Sequence, residues 1–190
     1  MNSATEQSLH PKDYTALVSI LRKISWAYIL IVFSIHLAWL DILPDWLGYG
    51  LLISAIPDLA KYVPSASLLH TFACLLTVWN FIVWGMDLMG GYDFPQLITV
   101  IFGCISIYFH FQLLTNLADL SDGTGCSQGR RLRSLRTFNT LLQTMLAFPV
   151  SWETINKFTP VPAFILLCAS GIMIETVLIL NLLKKELQIH

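Results

Sequence analysis

The hydrophobic positions of this chain fall into long continuous runs that are separated by short polar segments. About 20 apolar residues in a helix cross the roughly 30 Å of hydrocarbon in a bilayer, and several runs approach that length. The runs show no alternation of apolar and polar residues, which argues against a membrane β-barrel. The pattern predicts membrane helices over residues 24–43, 46–62, 68–86, 94–117, 138–152 and 162–183.

Two of the six predicted helices are weaker than the others. The run 46–62 is short and contains two glycines and Pro57, and the run 138–152 is short and contains Pro149. Proline is tolerated in membrane helices where neighbouring groups satisfy the freed carbonyl. The sequence therefore predicts an all-α, polytopic helical bundle that forms one membrane domain over residues 1–190, with a loop at 118–136.

Composition agrees with this class. The chain is 55% hydrophobic and 12% charged, with a mean hydropathy of +0.65, whereas soluble domains carry about 25% charged residues. The first apolar run is too long for the core of a signal peptide and is followed by no A-x-A-like cleavage site, so it is interpreted as a retained helix. The net charge of −1 gives no indication of nucleic-acid binding.

The distribution of basic residues predicts the orientation of the helices. Cytoplasmic loops are enriched in Lys and Arg. If all six runs cross the membrane, ten of the eleven basic residues lie on one side and only Lys157 lies on the other; if the run 46–62 does not cross, the division is six to five. The six-crossing arrangement is favoured, with both termini in the cytoplasm. The ten residues are Lys12, Arg22, Lys23, Lys61, Arg130, Arg131, Arg133, Arg136, Lys184 and Lys185.

A polar segment between the first two runs, residues 41–49, is then an external turn between two helices. Pro44 suits the first turn of a helix, and Asp45 complements the positive end of the helix dipole. Gly48 and Gly50 allow a neighbouring helix to approach closely. Tyr49 lies at the depth of an interfacial aromatic belt, and the other carboxylate of the segment is Asp41. Every residue of this external motif has a structural explanation, and a functional one stays open.

The sequence L-P-D-W-L-G-Y at residues 43–49 resembles a signature, I-L-P-D-[FW]-[IL]-G-Y, of a family of small multi-pass proteins from Firmicutes. The resemblance covers about 25 residues, from 35 to roughly 59. It implies a protein of the bacterial plasma membrane. It implies no activity and no catalytic residues, since none are assigned to that family.

Ionisable groups inside a membrane segment are functional candidates. Glu175 lies roughly 20 Å along the last helix and His110 roughly 24 Å along the fourth, at 1.5 Å per residue, which places both in the cytoplasmic half. A contact between them would offset the desolvation of both groups. We expect either a proton-linked or substrate-holding pair, or a structural hydrogen bond, with Glu175 reaching the inner interface as a further alternative.

Three arginines precede the fifth helix at a spacing of three residues: Arg130, Arg133 and Arg136. Leu132 and Leu135 form an apolar strip beside them. The pattern indicates a short amphipathic segment whose arginines contact anionic lipid at about 1 kcal/mol each, or dock a partner. The expected partners are the lipid bilayer and, as an open alternative, another membrane protein or a second copy of the chain.

Three function classes are compatible with the sequence. The first is a non-catalytic accessory, immunity or assembly factor. The second is a subunit that binds or transports a small solute, because six helices and internal termini resemble the substrate-binding components of energy-coupling-factor transporters. Their A-x-x-x-A docking pattern is missing from the first helix, where Ala27 is followed by Ile31. The third is an intramembrane enzyme.

Known chemical motifs do not favour any of the three classes. No catalytic motif, zinc spacing or phosphate-binding loop is found in the sequence, so no catalytic residue, metal or cofactor is predicted. A pocket lined by external aromatics would favour the solute binder. A wet cavity with an acid and a histidine would favour the enzyme, and a solid bundle would favour the accessory protein.

Overall fold

The computed structural model describes residues 11–32, 36–37, 40–41, 44–91, 94–147 and 160–189. A 3₁₀ turn, Pro64–Ala66, precedes the third helix, and two short strands, β1 (His36–Leu37) and β2 (Leu40–Asp41), pair antiparallel. The α-helices in these ranges are α1 (Pro11–Val32), α2 (Asp45–Leu59), α3 (Ser67–Leu88), α4 (Gln96–Gly123), α5 (Gly129–Ala147) and α6 (Pro160–Ile189).

The six helices pack in a closed circuit. Each helix contacts the next one along the chain, and α6 returns to pack against α1. Side chains from α1 and α4 also meet inside the circuit, as described below. The prediction of a helical bundle is therefore confirmed for the described ranges, apart from the two short strands.

α1 presents an apolar stripe to this interior. Leu17, Leu21, Ile24 and Tyr28 recur every three or four residues and are almost completely buried, as expected for one face of a helix with 3.6 residues per turn. Pro11 suits the start of a helix, and Asp13 in the first turn complements the dipole. The sequence therefore favours a helix that begins well before the first apolar run.

The predicted first helix, 24–43, is wrong at both ends. The observed helix begins at Pro11 and ends at Val32, and residues 36–37 and 40–41 form strands. The helix starts earlier than predicted because the charged residues before position 24 are part of the same helix as the apolar run that follows them. The predicted end lies too late because the apolar run continues into strands β1 and β2, where the backbone is extended and His36 pairs with Asp41.

The predicted loop 118–136 is also wrong, because most of it is helical. α4 continues to Gly123 and α5 begins at Gly129. α4 ends in a Schellman turn, in which the amide of Cys126 donates to the Ser121 carbonyl at 2.8 Å and the amide of Gly125 donates to that of Asp122 at 3.1 Å. Gly125 has φ +71, which only glycine adopts without strain. The direct connection is thus five residues long, 124–128.

The other predicted helices correspond to observed ones with shifted ends. α2 and α3 agree with 46–62 and 68–86 to within a few residues, and α6 continues past residue 183 to Ile189. α5 overlaps the predicted segment 138–152 as far as Ala147. Residues 148–159, which include Pro149, lie outside the described residues.

Large exposed apolar side chains cover the outside of several helices. On α3 and α4 they include Val78, Phe81, Leu97 and Ile101. Among the described residues, three segments are long and apolar enough to cross a membrane by length and composition: Asp13–Ile31, Pro64–Leu88 and Gln96–Gly123. The apolar exterior agrees with contact to lipid, which indicates a membrane protein.

Candidate functional site

His110 lies at the point where α1, α2 and α4 meet, and it is 2% exposed. Its Nδ1 atom is 3.3 Å from the hydroxyl of Tyr28, and its Nε2 atom is 3.2 Å from the hydroxyl of Tyr49. The Tyr49 hydroxyl also lies 3.3 Å from Oγ of Ser106. These four side chains, which we call the His110 network, connect three helices through polar atoms inside the bundle.

The His110 network can satisfy its hydrogen bonds in two ways. A neutral imidazole has one donor nitrogen and one acceptor nitrogen. With the proton on Nδ1, His110 donates to Tyr28, Tyr49 donates to Nε2, and Ser106 donates to Tyr49. With the proton on Nε2, each of these three bonds reverses its direction. The arrangement thus fixes the ring position without fixing its tautomer, and it needs no charge on the histidine.

Local sequence explains how each member reaches the junction. Tyr28 belongs to the buried stripe of α1, and Tyr49 lies one turn into α2, four residues after Asp45. Ser106 and His110 are four residues apart on α4, so their side chains lie on one face of that helix. The ring of Tyr49 also contacts the ring of Phe109, with centroids 5.8 Å apart. An aromatic ring therefore packs beside the polar network.

Gly48 sets the distance between α1 and α2 beside this network. A methyl group at position 48 would lie 2.5 Å from Cγ1 of Ile31 and 2.8 Å from the carbonyl oxygen of Ala27. The glycine therefore allows the backbones to approach, as the sequence suggested. The same expectation for Gly50 is wrong for the described part of the chain, where a methyl group at that position would meet no atom within 4 Å.

The expected contact between Glu175 and His110 is absent from the structure. Both nitrogens of His110 face tyrosine hydroxyls, while Glu175 is exposed on α6 and makes no hydrogen bond or ion pair with the described residues. A similar position along two helices does not determine which face of each helix a side chain occupies. The sequence missed Tyr28 and Ser106, although the periodic burial of Tyr28 was a usable signal.

The external motif separates into three parts in the structure. Asp41 belongs to strand β2, and its side chain lies outside the described residues. Pro44, with φ −70 and ψ 139, is the N-cap of α2, and Asp45 occupies the first turn. Gly48 and Tyr49 point into the bundle. One short motif thus starts a helix and then supplies an interior hydrogen-bond partner.

The three arginines of α5 have different surroundings. Arg133 forms ion pairs with Asp122 and with Asp119, the latter at 3.3 Å. Arg136 donates to Oγ1 of Thr115 at 3.1 Å, and its guanidinium lies 4.6 Å from the ring centre of Phe111. Arg130 is exposed and makes no hydrogen bond or ion pair with the described residues. Two of the three arginines therefore fasten α5 to α4.

A carboxylate at the end of α6 fastens the connection between α4 and α5. The backbone amide and hydroxyl of Ser127 donate to Glu186 at 2.9 and 2.7 Å, and Nε2 of Gln128 donates to it at 2.7 Å. These bonds lower the pKa of Glu186, with the Ser127 side chain as the largest cause and Gln128 next. The carboxylate also lies at the positive end of α5, where a negative charge is favourable.

The described side chains do not suggest a particular cofactor. Within the described ranges, no three His, Cys, Asp or Glu side chains lie close enough together to hold a metal ion. Comparison of the chain with protein-family models, with curated proteins and with solved structures gave no match.

Proposed function

We propose that the chain is a multi-pass protein of a bacterial plasma membrane that acts without catalysis, as an accessory, immunity or assembly factor for a membrane partner. The observation that carries this proposal is the packed interior at the His110 network. Tyr28, Phe109 and His110 are each at most 2% exposed, and Tyr49 is 4% exposed. Their polar atoms bond to one another, so this interior acts as a structural connection between three helices.

The proposed topology has six crossings and cytoplasmic termini. It is supported by the charges at one end of the bundle. Nζ of Lys23 on α1 lies 3.9 Å from Oδ2 of Asp58 near the end of α2, so these charges of the two helices lie at the same level along the bundle. Arg133 and Arg136 join α5 to the last third of α4. Beyond this level, toward the other end, the exposed surfaces of α3 and α4 are mainly apolar.

α2 is a short crossing in this topology, at 15 residues or roughly 22 Å. Its first turn carries Trp46, whose ring centre lies 5.4 Å from that of Phe81 and 6.0 Å from that of Trp84. Lys61 follows its last turn. Aromatic rings at one end and a lysine at the other are typical of the two interfaces, and local thinning of the bilayer accommodates a short helix.

Impermeant thiol labelling of intact cells tests the topology. In a chain whose native cysteines are replaced by alanine, Met89→Cys is the external probe, because Met89 is 85% exposed just after α3. Arg130→Cys is the matched internal probe. We expect labelling of Met89→Cys in intact cells and of Arg130→Cys only after permeabilisation. The opposite pattern, or labelling of both in intact cells, would contradict the proposed orientation.

A second experiment tests the functional class. The tagged protein would be purified from native membranes in mild detergent, alongside a variant carrying Tyr28→Phe and Tyr49→Phe. An accessory protein should retain the same stoichiometric membrane partner in both forms, because the substitutions keep the shape of the interior. Recovery of a bound small solute without a partner would favour the transport class instead. A reaction that disappears in the double variant, with folding retained, would favour the intramembrane enzyme.

The resemblance of residues 43–49 to the Firmicutes signature supports the same class. In the structure this segment supplies the N-cap of α2, the close contact at Gly48 and the hydroxyl of Tyr49. Residues with these roles stabilise the fold and do not carry out a reaction. We therefore extend the proposal to that family: its signature marks the junction of the first two membrane helices.

A further inference from the structure

We infer that a cleft between α1 and the end of α2 binds the phosphate group of an anionic phospholipid of the inner leaflet. This inference rests on the topology proposed above, which places the cleft at the cytoplasmic interface. The cleft has a volume of about 200 Å³, equal to about seven water molecules at their volume in the liquid. It is therefore large enough for a phosphate group and part of the attached glycerol.

The charges that line the cleft do not cancel. Lys61 donates to Oδ1 of Asp58 at 2.7 Å, and Nζ of Lys23 lies 3.9 Å from Oδ2 of the same carboxylate. Among the side chains that line the cleft, two ammonium groups thus share one carboxylate, which gives the lining a net charge of +1. The next carboxylate, Asp13, lies behind the hydroxyl of Tyr62. The 3.9 Å separation is too long for a hydrogen bond, so the three N–H donors of Lys23 can turn toward an anion.

The rest of the lining suits an amphiphile better than a free ion. Ala16 and Ile20 contribute apolar surface on α1, and Ser19 contributes a hydroxyl between them. Tyr62 lines the other side, and its hydroxyl donates to Asp13 at 3.5 Å. A basic cleft between membrane helices on the cytoplasmic side is the type of site that binds anionic headgroups. The apolar surface beside the charges then contacts the glycerol and the start of the acyl chains.

Native mass spectrometry of the purified full chain in detergent tests the inference, with phosphatidylglycerol and phosphatidylcholine as the two lipid probes. We expect phosphatidylglycerol to bind more tightly, because only this lipid has a net negative charge. Lys23→Gln and Lys61→Gln should each weaken its binding about fivefold, following the roughly 1 kcal/mol per basic residue near a membrane surface. Asp58→Asn should strengthen the binding, because it raises the net charge of the cleft to +2.

Arg131→Gln is the control for general electrostatic attraction. It removes one charge from an exposed position on α5, which packs against α4 and α6, and it should leave tight binding unchanged. Equal losses in Arg131→Gln and in both lysine variants would overturn the inference, as would equal binding of the two lipids. Circular dichroism of each variant shows whether the helices are retained.

A competition arm with millimolar inorganic phosphate distinguishes the source of the phosphate group. Retention of phosphatidylglycerol supports the lipid, whereas complete displacement assigns the cleft to free phosphate and overturns the lipid assignment. These measurements in detergent do not depend on the orientation of the chain in cells. Failure of the labelling experiment and failure of this inference are therefore distinguishable.

Discussion

At the scale of single residues, Gly48 is a position where packing against a neighbouring backbone requires the absence of a side chain. Gly48→Ala would place a methyl group against Ile31, which can move, and against the backbone of Ala27, which cannot move without shifting α1. Overpacking of this kind costs about 1–3 kcal/mol. We expect a lower apparent melting temperature in detergent. Gly50→Ala is the matched control: its methyl group would meet no atom of the described residues within 4 Å, and it should be neutral or stabilising by up to about 1 kcal/mol.

The tyrosines of the His110 network differ in the number of bonds that they make. Tyr49→Phe removes the contacts to both His110 and Ser106, whereas Tyr28→Phe removes only the contact to His110. Each buried group left without its partner costs about 1–3 kcal/mol. Tyr49→Phe should therefore reduce stability more than Tyr28→Phe does, measured by chemical unfolding in micelles. Equal effects would show that the bond to Ser106 contributes little.

The sequence indicates which residues belong to the site, but it does not indicate which of them contact one another. Tyr49 and His110 were chosen for unrelated reasons, one as an interfacial ring and the other as an intramembrane ionisable group. Glu175 was paired with His110 by depth alone. The direction of a side chain around the helix axis decides its partner. For α6 the sequence gives little indication of this direction, because most residues around Glu175 are apolar. For Tyr28, the periodic apolar stripe of α1 does indicate which face of the helix points into the bundle.

At the scale of helices, Glu186 connects the end of α6 to the start of α5. Glu186→Gln keeps one oxygen acceptor but removes the charge that strengthens the bonds from Ser127 and Gln128. We expect a loss of about 1 kcal/mol in stability. Lys185→Gln, a neighbouring substitution at an exposed side chain, should have little effect. A thermal unfolding series in one detergent would measure both.

The same carboxylate predicts a pH dependence. The hydrogen bond from the Ser127 side chain, followed by that from Gln128, lowers the pKa of Glu186 in the folded protein. Its stabilisation is therefore complete above the pKa of an unfolded glutamate, about 4.3, and is lost as the pH falls through the lower folded value. Stability measured between neutral and acidic pH should decline less steeply in Glu186→Gln. Identical slopes would contradict a role for this carboxylate.

Arg136 fastens α5 to α4 through two contacts. Its guanidinium bonds to Thr115 and stacks over Phe111, and such cation–π contacts contribute about 0.5–1 kcal/mol at exposed sites and more when desolvated. We expect Arg136→Gln to lower the apparent melting temperature. Arg130→Gln removes the same charge from an exposed position and should not. If both variants unfold alike, the basic segment acts through the membrane surface rather than through α4.

The helix ends show where sequence patterns stop being informative. An apolar run overlaps each of the described helices, because hydropathy reflects burial or contact with lipid. The runs leave out the ends of three helices: α1 before position 24, α4 after 117 and α6 after 183. Those parts bury one apolar face and leave charges on the other, which resembles a soluble helix. Amphipathic periodicity, at Leu17, Leu21 and Ile24, was the signal for them.

At the scale of the whole molecule, this division predicts a boundary between lipid and water within α5. Ser134 is exposed near Arg133, whereas Phe138 and Leu141 are 66% and 59% exposed and apolar. From position 134 to position 141 a helix rises roughly 10 Å. The inner interface of the proposed topology should therefore lie between these positions.

Spin labels at single positions in vesicles can locate that boundary. Labels at positions 134 and 141 are compared for collisions with oxygen, which concentrates in lipid, and with a water-soluble nickel complex. We expect nickel collisions to dominate at 134 and oxygen collisions to dominate at 141. A label at Ile101, 48% exposed on α4, is the lipid reference. Water-like behaviour at 141 would mean that α5 lies outside the bilayer, which would leave the two termini on opposite sides and contradict six crossings.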